Sequence, residues 1–142
     1  KIKAFEHKAL FAANRSVSNA VEDVLTSPVV LSPTKPAANY ATGLLKNSWF
    51  VAVGGGFDLT VGTSPDENGT ASLSRIKSTL AQNIFLGKDN TITLTNSVEH
   101  AYRANYLGWP AGEGANGWHW TGRVQAYAFV QTAVNNFKGK YM

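Results

Sequence analysis

Cysteine is absent from all 142 residues, which excludes disulfides and thiolate metal clusters and leaves the fold to be held by its core alone. Charge is also scarce. Asp, Glu, Lys and Arg supply 15% of the chain where about a quarter is usual, which points to more surface than normal meeting other protein. No apolar stretch approaches the roughly 20 residues of a membrane-spanning helix. No charged, apolar, then small-residue leader opens the chain at Lys1, so the expectation is a soluble protein without membrane contact. What is plentiful is apolar: 44% hydrophobic residues, 11% of all residues aromatic, too much for a disordered chain. A chain of this length removes roughly 68% of its extended surface from water on folding, enough for one core. Residues 1–142 are therefore expected to form one domain.

The net charge of +4 is unevenly spread. Lys1, Lys3, Lys8 and Arg15 against Glu6 make the first fifteen residues +3, and Arg123, Lys138 and Lys140 make the tail +3, while residues 16–122 carry −2. If the two ends lay together they would form a basic face suited to phosphates or to an acidic protein ring. No run of five or more Lys and Arg occurs, so a pair of solvated termini explains the same pattern.

Hydrophobic periodicity places the elements. Ile2, Phe5, Ala9, Ala13, Val17, Ala20, Val21 and Val24 recur every three or four residues, which predicts an amphipathic helix over Lys3 to Leu25. Pro28 should end it, since proline disfavours the helical region for the residue before it. Pro28 to Asn39, with Pro33 and Pro36, reads as an extended excursion, and Tyr40 to Lys46 as a helical turn. Trp49 to Val53 and Phe57 to Gly62, separated by Gly54-Gly55-Gly56, suggest two antiparallel strands. Leu73, Ile76, Leu80, Ala81 and Ile84 mark a second helix, with Gly87 at its C-cap. Thr91 to Asn96 alternates as a half-buried strand does. Val98 to Leu107 should be a short helix or turn, and Gly108 to Gly122 an aromatic, glycine-rich loop. Ala126, Phe129, Val130, Ala133, Val134 and Phe137 make a final helix, Arg123 to Phe137, expected to lie on the sheet. The fold class is thus α+β: a small antiparallel β-sheet packed against a long N-terminal, a middle and a C-terminal helix.

Chemical motifs are weak. Gly112-Glu113-Gly114-Ala115-Asn116-Gly117 matches G-x-G-x-x-G, but a dinucleotide site needs a strand before it and a helix opening on it. Here Trp109-Pro110 precedes and Trp118-His119-Trp120 follows. His7, His100 and His119 lack the four-residue spacing of a helical zinc site. Glu99 and His100 are adjacent and would point apart on a helix or strand. No G-x-S-x-G elbow is present. A hydrolase would have to centre on His100 or His119, and both suit structural hydrogen bonding better. Neither a cofactor nor a metal is expected, and no enzymatic activity. Asn14-Arg15-Ser16 and Asn68-Gly69-Thr70 fit the glycosylation triplet with no leader to support it. Trp109, Trp118 and Trp120 suit interface anchoring or, as an alternative function, a small carbohydrate-binding module.

Several segments in order carry a resemblance. Ser27-Pro28-Val29, then Thr42-Gly43-Leu44-Leu45-Lys46-Asn47-Ser48-Trp49, later Thr91 to Ala101 and Tyr106-Leu107-Gly108-Trp109, together resemble the tailed-bacteriophage neck and tail-completion proteins. The glycine-rich loop and the final helix complete that order. The resemblance implies a virion structural protein, made in the host cytoplasm, that forms a six- or twelvefold homo-oligomeric ring at the head-tail junction or the top of the tail. Its partners would be portal or adaptor and tail proteins. Cyclic heterologous contacts need two different adhesive faces on each subunit, and long ordered loops in small domains tend to be functional. Pro33, Pro36, Tyr40, Trp109, Trp118 and Trp120 are accordingly the candidate interface residues. Lys3, Lys8, Arg15, Lys138 and Lys140 are the candidates for sequence-independent contact with packaged DNA or an acidic partner.

Overall fold

The computed structural model describes residues 1–33, 43–83, 91–108, 112–113, 119–120 and 128–142. Helix α1 spans Ile2–Leu31, α2 Leu44–Asn47, strand β1 Trp49–Val53, α3 Thr70–Gln82 and β2 Ile92–Asn96. A π-helical turn, Arg103–Leu107, follows, then β3 Gly112–Glu113, β4 His119–Trp120 and α4 Phe129–Tyr141. The α+β architecture read from the sequence is what forms. Gly87 and the 84–90 stretch lie outside the described residues, as do 123–127 at the start of the expected last helix.

The first helix does not stop before Pro28. It runs through that residue to Leu31, although the proline ring removes a donor to the Val24 carbonyl and costs about 3 kcal/mol in a helix interior. Leu25, Pro28 and Val29 are its buried residues, and fully burying an aliphatic side chain stabilises by roughly 1.5–3 kcal/mol, so two such burials offset the defect. Termination comes at Ser32 instead. Its backbone N–H and its hydroxyl both donate to the Pro28 carbonyl, at 3.0 and 2.6 Å, and its backbone turns extended (ψ 130°). Residues 28–31, expected in an extended excursion, therefore belong to the helix.

The strand pairing also differs from the adjacent hairpin. β1 pairs antiparallel with β2, with Trp49 opposite Asn96 and Val53 opposite Ile92. Phe57 to Gly62 forms no strand despite its alternation. The cause lies at its far end, where the chain is held against α2. An added methyl at Gly62 would fall 2.1 Å from the Ser48 hydroxyl oxygen, and Asn47 donates its side-chain amide to the Ser64 carbonyl at 2.9 Å. At the near end the Gly54 N–H already bonds the Thr91 carbonyl at 3.0 Å, giving β1 its partner. Gly43 is constrained in the same way. It has φ 62°, and a Cβ there would sit 2.3 Å from the Asp66 carbonyl carbon.

The core is Leu25 and Val29 of α1, Leu45 of α2, Trp49 of β1, Ile76 and Leu80 of α3, Ala104 and Phe129. Trp49 joins these layers. Its backbone N–H donates to the Ser72 hydroxyl at 2.9 Å, its indole Nε1–H donates to the Ser32 hydroxyl at 2.9 Å, and its ring meets Phe129 edge-on with centroids 5.9 Å apart. Helix α4 lies against α1 rather than across the sheet. Phe129 at its start sits beside Trp49, while Lys140 and Tyr141 at its end bond Asp23. The two helices therefore run antiparallel, and α4 reaches no further back along α1 than about Asp23. Residues 1–13 are all exposed.

Stability should divide along the same line. Ile76→Ala, at a position with no solvent exposure, should cost about 2–5 kcal/mol in urea unfolding. Leu10→Ala, on the projecting half of α1, should shift stability by less than about 0.5 kcal/mol.

Candidate functional site

Two remote asparagines set the helices that frame the surface. The first-turn N–H groups of a helix have no partner within it, and neither α3 nor α4 carries a capping side chain of its own. Buried Asn47 accepts from the Ala71 N–H at 2.9 Å and more weakly from Ser72 at 3.4 Å. Asp66 takes the Thr70 and Asn68 N–H groups at 2.9 Å each. Hydrogen bonds from Thr70 first and Asn68 next hold the Asp66 carboxyl below its usual 3.8. At α4 the same job falls to Asn105. Its side-chain oxygen accepts from the Val130 N–H at 3.0 Å, its amide donates to Gln131 at 3.1 Å, and its carbonyl accepts from the Ala128 N–H at 3.1 Å. No local sequence pattern marks either asparagine, because their partners lie about 25 residues away.

Arg75 braces the joint between α2 and β1. Its guanidinium donates to the Trp49 carbonyl at 2.7 Å and the Asn47 carbonyl at 3.2 Å, and lies 3.9 Å over the Phe50 ring. Beside it Asp58 accepts the Thr60 N–H at 3.0 Å. Bonds from Thr60, with the nearby Arg75 charge, keep the Asp58 carboxyl below its ordinary range.

Around this braced centre, large apolar side chains stand in solvent chiefly in two separate places. The projecting half of α1 exposes Ile2 (76%), Phe5 (74%), Leu10 and Phe11. The segment between the Gly54 and Gly62 anchors exposes Phe57 (72%), Leu59 (70%) and Val61. A third, smaller group is Tyr102 and Tyr106, with ring centroids 4.9 Å apart, beside exposed Leu107. Large contiguous apolar patches are uncommon on the surface of a monomer.

The expected site residues are distributed as follows. Pro36, Tyr40, Trp109 and Trp118 lie outside the described residues, and Trp120 is described only as part of β4, whose backbone pairs Trp120 with Gly112 and His119 with Glu113. That antiparallel pairing puts the first glycine of the G-x-G-x-x-G string in a strand, the wrong context for a pyrophosphate-binding helix start. Pro33 is half-buried next to the Ser32 terminus. Lys3, Lys8 and Arg15 are exposed on α1 and Lys138 on α4, while Lys140 bonds Asp23 at 2.5 Å. The basic ends do not form one compact face. The tail meets α1 at Asp23, twenty residues from Lys3, or about 30 Å along the helix.

Among the described residues, no three His, Asp or Glu side chains are grouped to hold a metal, and no helix is long and apolar enough to cross a membrane. His100 is half-buried; burial pushes its imidazole below the ordinary 6.5, with the Glu99 charge opposing. No protein-family model matches the chain, and no curated protein or solved structure matches it either.

Because folded His100 binds its proton less readily than the unfolded chain does, its contribution to stability is complete above pH 6.5 and declines as pH falls below that value. Unfolding midpoints measured on either side of pH 6.5 should show this decline, and His100→Gln should reduce it.

Proposed function

We propose that this protein is a ring-forming structural subunit of a tailed-bacteriophage virion, placed at the head-tail junction or the top of the tail, where it joins neighbouring rings. The observation that carries this reading is the presence of two unlike apolar surfaces on one small domain: the projecting half of α1 with Ile2, Phe5 and Leu10, and the Phe57 to Val61 segment. A closed ring needs such a pair, since each subunit presents a different face to each neighbour. The low charge fraction and the sequence resemblance point the same way.

The resemblance also has a physical counterpart. Its second segment, Thr42 to Trp49, includes Asn47, Ser48 and Trp49, and these residues supply the contacts that fix α3, Gly62 and the end of α1. Residues that brace a subunit internally would keep its outer faces in a fixed relation, as a ring of defined order requires. The exposed lysines of α1 and α4 suit sequence-independent contact with DNA phosphates or an acidic partner. Exposed Tyr102 and Tyr106 are candidates for contact with an adjoining ring.

Native mass spectrometry of the full chain is the direct measurement. A closed species of six or twelve subunits is the expected result. A strict monomer at every concentration, alone and with its neighbouring virion proteins, would overturn the reading.

A further inference from the structure

The two exposed surfaces are complementary in charge as well as apolar. Lys1, the N-cap of α1, and Lys8 and Arg15 on the helix are spaced by seven residues and so line up along one row, adjacent to the row of Ile2, Phe5, Ala9 and Val17. Lys3 lies on the opposite flank of that apolar row, and Glu6 is the one acid in the first fifteen residues. The other surface has the reverse sign. Between Lys46 and Arg75 the chain carries Asp58, Asp66 and Glu67 and no base. Arg75 offsets Asp58 in part, since it lies close enough to lower that carboxyl; Glu67 is exposed.

Their positions prevent them from meeting within one molecule. The 57–67 segment is anchored through Ser48 and Asn47 next to Trp49, whose indole bonds Ser32 at the C-terminal end of α1. Ile2 and Phe5 lie at the opposite end of the same helix, and 30 residues at about 1.5 Å each separate the ends by about 45 Å. One surface therefore has to find its counterpart on another copy. Pairing of α1 with α1 in parallel would set the Lys1, Lys8 and Arg15 rows side by side, and like charges at close range disfavour it.

We propose that the projecting half of α1, residues 1–17, docks on the apolar and acidic 57–67 segment of a second copy of this chain, repeating head to tail. This deepens the ring reading and rests on it. Phe5, Ile2 and Leu10 are the anchors of a helix laid against a partner surface, in the manner of other helix-in-groove contacts. Phe57, Leu59 and Val61 are the surface that receives them. The lysines and Arg15 on one side and Asp58 and Glu67 on the other fix direction and polarity. The contact is heterologous, so each copy donates its helix to one neighbour and receives one from the other.

Paired charge reversal tests it. The first variant carries Lys3→Glu, Lys8→Glu and Arg15→Glu; the second carries Thr63→Lys and Glu67→Lys. All five positions are exposed, and Asp66, which caps α3, is left in place. Far-UV circular dichroism checks that both fold, and Phe57→Ser provides a second disruption of the receiving surface. By native mass spectrometry and sedimentation, each variant alone should assemble at least about tenfold more weakly than the natural chain. An equimolar mixture should reassemble, because each altered surface then meets an altered counterpart. If both variants and Phe57→Ser assemble as the natural chain does, the ring reading stands and this contact is wrong. A mixture that stays dissociated overturns the charge pairing. A natural chain that remains monomeric overturns both, and its binding to phosphatidylserine vesicles would then identify the basic helix as a membrane-surface element.

Discussion

Much of the structure depends on how Trp49 is held. An indole in a core is a large apolar body with one donor that has to be satisfied. Here the donor goes to Ser32, the backbone N–H to Ser72, the carbonyl accepts from Arg75, and the ring edge meets Phe129. One residue thus ties the end of α1, the start of α3, the first strand and the start of α4. Ser32 can serve because its own hydroxyl also bonds Pro28, which makes the proline-bearing last turn of α1 part of the same network. Buried polar networks of this kind hold a single arrangement when every member is satisfied, and become costly when one is removed.

The asparagines extend that constraint outward. Asn47 and Asn105 each supply a side-chain oxygen to the first turn of a helix distant in sequence. A helix capped from elsewhere has its start fixed by the tertiary structure. As a result α3 begins where α2 ends and α4 begins where the π-helical turn packs. The Phe57 to Val61 segment, lying between its two anchors at Gly54 and Gly62, is left outside the sheet with its apolar side chains in solvent. The rigid centre and the exposed segment are consequences of the same contacts.

A similar division runs along α1. One face of its last two turns, Leu25, Pro28 and Val29, is buried against the core, while its first thirteen residues lie beyond the reach of α4 and are exposed. Helices are stabilised in proteins mainly by packing of an apolar face, and the first half of α1 leaves Ile2, Phe5, Leu10 and Phe11 unpacked. The charge asymmetry along the chain gains a structural sense from this geometry. The +3 of the first fifteen residues lies at one end of the long axis, and the acid-only stretch between Lys46 and Arg75 at the other.

The sequence by itself determined the type and place of α1, α3, α4, β1 and β2: helical periodicity, the β-branched and aromatic run at Trp49 to Val53, and the alternation at Thr91 to Asn96 are local signals. It did not mark the buried face of α1, whose core residues Leu25 and Val29 lie beyond the Ile2 to Val24 stripe. It also displayed the two basic ends, Lys1 to Arg15 and Arg123 to Lys140. What only the tertiary structure decided was extent and partnership. Whether α1 could pass Pro28 depended on burial of Leu25 and Val29, and whether Phe57 to Gly62 could pair with β1 depended on Ser48 and Asn47 holding its far end. The exposure of Ile2 and Phe5 followed from where α4 ends, beside Asp23. Each of these outcomes turns on contacts between residues far apart in the chain, and local propensity carries no information about a partner that arrives only when the chain has folded.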